Sequence, residues 1–256
     1  MAGERVQGRV FGEVAAEYDR IRPGYPRALV DAVLVHTAAP GPALEVGAGT
    51  GKATVAFAER GLTITAIEPD PAMAEMLARR CARYPGVSVA VSAFEDHVPA
   101  RPYGLVFSAQ AWHWIDPLRR CRLAAEALAP RGSLALFWNF DRILDRRVQD
   151  EVLAAYRALV PDLVWDTEAA DEGGLLEAWP GPELVACDHL TDVQARLFRS
   201  GRILTRADYL AFLSTHSSIR MLEPSARAQL LDALAPPLPD VVRLDVDTVL
   251  YLARRA

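Results

Sequence analysis

The sequence predicts an α/β fold built on a doubly wound parallel sheet, and three observations predict it. Short apolar runs of strand length alternate with helix-like stretches from about residue 43 to residue 138. A glycine loop, Gly47-Ala48-Gly49-Thr50-Gly51, follows the first apolar run and opens a helix. Two carboxylates, Glu45 and Glu68, stand at the ends of the first two runs. Alternation at this spacing implies βαβ units and a parallel sheet. Right-handed crossovers then place helices on both faces. Ligands of such sheets bind beyond the carboxyl ends of the strands, at the switch point beside strand one.

Residues 1–28 hold Phe11, Tyr18, Tyr25 and the Pro-bracketed Arg22-Pro23-Gly24-Tyr25-Pro26, and read as a helix followed by an extended arm. A helix from about Arg27 to Thr37 comes next. Ala43–Val46 is the first strand, and the glycine loop leads into a helix ending near Arg60. Thr63–Ile67 is strand two. Asp70-Pro71 starts a helix, since Asp suits the N-cap and Pro the first helical position. Met73, Met76, Leu77 and Cys81 mark one face of that helix. Val87–Val91 and Leu105–Ser108 are strands three and four. Asp116-Pro117 repeats the helix start, with the helix running to about Leu128, and Ser133–Trp138 is strand five.

The second half is less regular. Residues 146–160 read as helix and 161–182, with Pro161, Gly173, Gly174, Pro180 and Pro182, as loop. Val185–Phe198 and Val241–Leu252 read as late strands. Between them lie helical segments near 206–221 and 225–235, a sheet edge with a helical cap. The expected division is one domain over 1–256: an N-terminal arm over 1–38, a core over 39–140, and a sheet edge over 141–256 with a cap near 206–235.

Bulk properties bound the function. The chain has 256 residues, 51% hydrophobic and 24% charged, enough for a sizeable core without staples. The net charge is −5 and no Lys/Arg cluster stands out, so nucleic acid is not expected as the main partner. Cys81, Cys121 and Cys187 are scattered, odd in number and in no CxxC pair, which gives neither a disulfide framework nor a zinc site. No carboxylate/His cluster reads as a metal site. No secretory leader and no apolar run of bilayer length is seen, so a soluble, cytoplasmic protein without a membrane partner is expected. The oligomeric state is left open.

The glycine loop carries the functional signal. Its glycines let the backbone turn tightly and approach a ligand, and the helix start offers free N–H groups. The spacing is GxGxG, and Lys52 stands where a dinucleotide loop wants Gly or Ala. Glu45 repels a pyrophosphate but suits an ammonium or sulfonium. Glu68 suits a pair of ribose hydroxyls. The bland alternative is that both acids are solvated strand ends.

Glu45-x-Gly47-x-Gly49-x-Gly51 with Glu68 resembles the cofactor loop and strand-two acid of class I S-adenosylmethionine (SAM)-dependent methyltransferases. The segments Phe11-Gly12-Glu13-Val14-Ala15-Ala16-Glu17-Tyr18-Asp19-Arg20-x-Arg22-Pro23-x-Tyr25-Pro26 and Ala109-Gln110-Ala111-Trp112-His113-Trp114-x-Asp116 look like the small-molecule branch, which includes trans-aconitate-methyltransferase-like proteins. Phe212-Leu213-Ser214-Thr215-His216-Ser217-Ser218 resembles, more loosely, a segment near the acceptor pocket. The resemblance implies a Rossmann-like, seven-stranded sheet, mostly parallel with an antiparallel strand at the edge. It implies SAM as cofactor, S-adenosylhomocysteine as product and a small-molecule acceptor. Cofactor contacts carried over are Glu45, Gly47, Ala48, Gly49, Gly51, Glu68, Pro69, Ala93, Phe94 and Ala109, with Tyr18 and Arg22 closing over SAM. Ser92 stands where many relatives have Asp, which leaves adenine to the backbone of Ala93 and Phe94. Phe94 serves equally well as core.

Methyl transfer needs alignment and exclusion of water, and a base only when the acceptor must lose a proton. His113, past strand four, is the candidate base; the alternative is a structural histidine between Trp112 and Trp114. Tyr25, Trp112, Trp114, His216 and Ser217 are candidate acceptor contacts. Arg199, Arg202, Arg206 and Arg220 favour an anionic acceptor if they point inward, and are surface charge otherwise. The transfer expected is to oxygen, including carboxyl oxygen, or to nitrogen. The rival readings are a nicotinamide-dependent oxidoreductase, which Glu45 and Lys52 oppose, and a non-catalytic SAM-binding protein.

Overall fold

A computed structural model describes residues 15–163 and 169–256. The opening motif from Phe11 to Val14 and residues 164–168 of the expected loop lie outside them. The elements are α1 (Ala15–Ile21), α2 (Arg27–His36), β1 (Ala43–Val46), α3 (Lys52–Ala58), β2 (Ile64–Glu68), α4 (Pro71–Cys81), β3 (Val87–Val91), β4 (Tyr103–Ala109), α5 (Arg120–Ala127), β5 (Leu128–Ile143), α6 (Arg146–Leu159), α7 (Gly181–Val185), β6 (Leu190–Thr205), α8 (Arg206–Ser214), α9 (Ser217–Met221), α10 (Pro224–Leu234) and β7 (Val241–Arg255).

Seven strands form one sheet in the order β3-β2-β1-β4-β5-β7-β6. β1 pairs in parallel with β2 and β4, β2 with β3, and β4 with β5. β7 is the antiparallel strand of the edge pair. The Leu144 N–H, just past β5, donates to Arg243 O near the start of β7, and Ala256 N–H, just past the end of β7, donates to His189 O before β6. β6 is therefore the outermost strand and β7 lies between it and β5.

The chain divides into two units. One comprises residues 24–139, 170–198 and 248–256, and its strands alternate between two faces. Leu44, Val46, Val106, Leu134, Leu136 and Trp138 pack on one face with Phe94, Trp112, Leu184 and Tyr251. Leu105, Phe107, Ala135 and Phe137 pack on the other with Leu29, Val33, Phe57 and Leu77. Period-two alternation under helical layers is what a buried parallel sheet requires. The other unit, residues 1–23, 140–169 and 199–247, has its own core of Val152, Tyr156, Tyr209, Phe212, Leu230 and Leu234.

The α4 start is as the residues dictate: Asp70 accepts from Ala72 N at 2.8 Å and Met73 N at 3.1 Å, with Pro71 in the first turn. Asp70→Ala is expected to lower unfolding stability by about 1 kcal/mol in a urea titration, the usual value of such a cap.

Several boundaries differ from expectation, with β5, β6 and β7 running on to Ile143, Thr205 and Arg255, and four differences have a physical cause. α5 begins at Arg120, since Asp116 closes a separate turn first: its carboxylate accepts from Leu118 N, and its carbonyl from Arg119 N and Arg120 N. β5 starts five residues before Ser133, because Leu128 already pairs with Tyr103 ahead of an irregularity at Arg131, where φ is +61°. β6 starts at Leu190 rather than Val185, because 181–185 form α7, with Pro182 in its first turn and Leu184 buried. The 206–221 segment splits at Thr215, whose hydroxyl bonds back to Phe212 O at 2.6 Å and competes with the helical ladder. Among the described residues, no helix is long and apolar enough to cross a membrane.

Candidate functional site

The glycine loop sits at the carboxyl end of β1, beside β4. Gly47 has φ +68°, and a Cβ there would collide with the Cβ of Ala111 in the segment after β4. Only glycine permits this approach. Gly49 has φ +57°, and a Cβ built on it meets nothing within 4 Å, so the loop presents an open side there.

The two acids are buried under this loop. Glu45 is fully buried; Thr54 Oγ1 donates to its Oε2 at 2.5 Å, while its Oε1 has no hydrogen-bond partner. Burial pushes its pKa up to about 8, only partly opposed by Thr54. Glu68 accepts from Gly49 N at 2.8 Å and from Asp70 N at 2.9 Å, so it ties the loop to the end of β2. Its pKa is raised by burial, against the pull of those two N–H groups. Neither acid is a solvated strand end.

SAM, the cofactor the resemblance implies, fits this donor set. The orphaned Oε1 of Glu45 is a buried acceptor awaiting a donor, and Gly49 leaves open the space a side chain would fill. A pyrophosphate has no such use for two carboxylates. Ala48, Gly47 and Gly51 complete the loop, and Pro69 and Ala109 lie half-exposed at the ends of β2 and β4. Ala93 is half-buried, Phe94 is core at 4% exposure, and Ser92 Oγ donates to Ala93 O.

Beyond β4 the chain enters a strained segment. Gln110 has φ +61°, its N–H donating to Phe137 O at 2.9 Å. Strain of this kind costs about 1–3 kcal/mol and persists where the surroundings impose it. A single 3-10 turn, Trp112–Trp114, follows. Trp112 is fully buried; His113 and Trp114 are exposed. Trp138 Nε1 donates to His113 Nδ1 across a long 3.5 Å. Desolvation of the ring beside Trp114, Trp138 and Trp179 lowers the His113 pKa to about 4, with help from the Arg120 charge, although the residue as a whole stays accessible. The imidazole is therefore neutral at pH 7.

Sequence reasoning missed the group that braces this turn. Arg120 donates from Nε to Glu183 Oε1 at 2.7 Å, from Nη2 to Glu183 Oε2, and from Nη1 to Trp112 O at 3.2 Å. Glu183 also accepts from Trp112 Nε1 at 3.4 Å, Trp179 Nε1 at 3.1 Å and Cys121 Sγ at 3.2 Å. The guanidinium lies over Trp179, 5.2 Å from the ring centre. No spacing links Arg120 to a carboxylate 63 residues away, so no local signal could reveal this group.

Tyr25 packs edge-on against Phe137 at 4.7 Å. The other candidates belong to the second unit. The Arg22 guanidinium lies 5.1 Å from the Tyr18 ring centre and 5.0 Å from that of Phe212, and its Nε donates to Thr215 Oγ1 at 2.9 Å. His216 stacks edge-on with Phe212 at 4.8 Å, and burial holds its pKa well below the usual range. Ser217 opens α9 and is half-buried. Arg202 is mostly buried, 3.4 Å from Asp141, while Arg199 is exposed. Among the described residues, no three His, Cys, Asp or Glu side chains are grouped to hold a metal ion.

Residues 44–136 match the family model described as a methyltransferase domain. The chain is 40% identical over 129 residues to an uncharacterized methyltransferase of Mycobacterium tuberculosis, a match that covers 50% of this chain and 51% of that protein. It is 25% identical over 268 residues to an uncharacterized methyltransferase of Schizosaccharomyces pombe, covering 97% and 98% of the two. Its fold superposes on a putative type II methyltransferase from Anaeromyxobacter dehalogenans with a TM-score of 0.65 and 24% identity, covering 91% of this chain and 97% of that one. The chain spans about half the length of the mycobacterial relatives it matches.

Proposed function

We propose that this chain is a class I SAM-dependent methyltransferase with SAM as its cofactor, and that it transfers a methyl group to a small-molecule acceptor at oxygen, carboxyl oxygen included, or at nitrogen. The observation that carries the reading is the pair of buried acids under the glycine loop, with the free oxygen of Glu45 and the Glu68–Gly49 tie. When bound, SAM supplies an electrophilic methyl: an acceptor lone pair forms the new bond while the carbon–sulfur pair returns to sulfur, leaving S-adenosylhomocysteine.

The protein's own part is binding, orientation and dryness. Glu45, protonated at neutral pH in the free protein, would ionise on meeting the aminium group of the methionine portion, and Glu68 would take the ribose hydroxyls. Pro69, Ala93, Phe94 and Ala109 border the nucleoside. Tyr25, Trp112 and Trp114 serve the acceptor side, and by the resemblance Tyr18, Arg22, His216 and Ser217 are the further candidates. His113 is neutral at pH 7, so it is available to a proton-bearing nucleophile, and a carboxylate acceptor does not need it.

The test is calorimetric titration with SAM and, separately, with NAD. Binding of SAM in the micromolar range, none of NAD, and loss of SAM binding in Gly49→Arg and Glu68→Ala are expected. Binding of NAD in preference to SAM overturns the proposal.

A further inference from the structure

We propose that the segment after β4, from Gln110 to Trp114, forms with Trp179 the acceptor subsite, and that it takes a planar aromatic carboxylate. This rests on the methyl-transfer reading above. Position is the first argument. Ala111 lies against Gly47, so this segment borders the cofactor loop itself.

Surface is the second. Trp112 and Trp138 are 0% and 6% exposed, as large aromatics normally are, but Trp114 and Trp179 are 37% and 46% exposed. They flank the His113 ring, at 4.4 Å and 6.4 Å between centroids. Trp114 and the part of Trp179 that the Arg120 guanidinium leaves uncovered offer aromatic surface beside a polar ring, the contact that aromatic rings make best.

Polarity is the third. Trp138 Nε1 donates to His113 Nδ1, which leaves the imidazole proton on Nε2, so the second ring nitrogen of His113 is a neutral donor. The carboxylate that braces this turn, Glu183, is taken up by Arg120, both indoles and Cys121. With the Trp112 and Trp179 N–H groups held by Glu183, the subsite from Gln110 to Trp114 with Trp179 presents the His113 Nε2–H as its donor and has no carboxylate of its own. A carboxylate fits this: one oxygen accepts from His113 and the other remains as nucleophile, already without a proton. A cationic amine is also drawn to ring faces, but the Arg120 guanidinium already lies over Trp179 and no acid of the subsite offsets a second positive charge.

The Glu183 brace fixes the geometry. Through Trp112 Nε1 and Arg120 it holds the 3-10 turn, and through Trp179 Nε1 it holds the indole that faces His113. Trp179 thus contributes both a ring for contact and an N–H for support, and the two are separable by substitution.

Protein saturated with S-adenosylhomocysteine is titrated calorimetrically with benzoate, cyclohexanecarboxylate and choline. Benzoate is expected to bind about fivefold more tightly than cyclohexanecarboxylate, which matches its charge but lacks the flat ring, with choline weakest. Trp179→Leu is expected to weaken benzoate by about fivefold while Trp179→Phe, which loses the pyrrole ring and its N–H but keeps a six-membered aromatic ring, stays within about twofold. S-adenosylhomocysteine affinity reports whether each variant is folded. Equal binding of the two acids, preference for choline, or an unchanged benzoate affinity in a folded Trp179→Leu protein overturns the proposal and leaves the methyltransferase reading standing. Failure of S-adenosylhomocysteine to bind the parent protein overturns both.

Discussion

Glu183→Ala is expected to lower unfolding stability by about 3 kcal/mol at pH 7, the usual cost of stranding one member of a buried ion pair. Arg120 is 6% exposed and Glu183 21%, so removing the acid leaves a guanidinium in the core. The Trp112 and Trp179 indoles and the Cys121 thiol lose the same acceptor. Unpaired buried donors cost more than their bonds contributed. The double variant Arg120→Met, Glu183→Leu should recover most of the loss, because it removes the stranded charge as well. Urea titrations of the single and double variants test this. A single variant within about 1 kcal/mol of the parent would show that the pair is too well solvated to matter.

The pH dependence of this pair has a definite sign. Burial pushes the Glu183 pKa up, but hydrogen bonds from Arg120, Cys121 and Trp179 outweigh it and hold the carboxyl below its ordinary value of 4.5. A depressed folded-state pKa stabilises above the unfolded value. The contribution is therefore intact at neutral pH and fades as pH falls below about 4.5, through the folded-state pKa.

Glu45 behaves in the opposite way. Its folded pKa is about 8, against an ordinary value of 4.5. Below pH 4.5 both folded and unfolded chains carry the proton. Between 4.5 and 8 the unfolded chain loses it and the folded chain keeps it, so stability falls as pH rises, then levels off. Glu45→Gln removes this slope. The variant is expected to gain about 2–5 kcal/mol on the parent between pH 5 and pH 8, with the difference flat above that. The same substitution removes the carboxylate proposed to meet the aminium of SAM, so SAM affinity should fall by about tenfold or more, the equivalent of one charge-assisted hydrogen bond. Urea titrations at pH 5, 6.5 and 8, with calorimetry at pH 7.5, read both effects. Parallel pH profiles for parent and variant would mean that Glu45 is ionised in the folded protein. A gain in stability together with a loss of binding is the expected signature of a group retained for function.

Local sequence was enough to read the alternating strands and helices of residues 43–138, the Asp70 cap and the glycine loop with its two acids. All of these depend on residues within a few positions of one another, where periodicity, turn chemistry and capping act. The late helices near 146–160 and 225–235 were legible for the same reason. Boundaries failed where a distant partner decided them: Leu128 joins β5 because Tyr103 is beside it, and β6 begins only after α7. The identity of the bases and acids was readable, but their state was not. The burial that raises Glu45 and lowers His113 comes from neighbours brought in by the fold. It took the folded chain to join Glu183 to Arg120, Trp112 and Trp179, because a buried ion pair is chosen by proximity and desolvation, and neither leaves a trace in local sequence pattern.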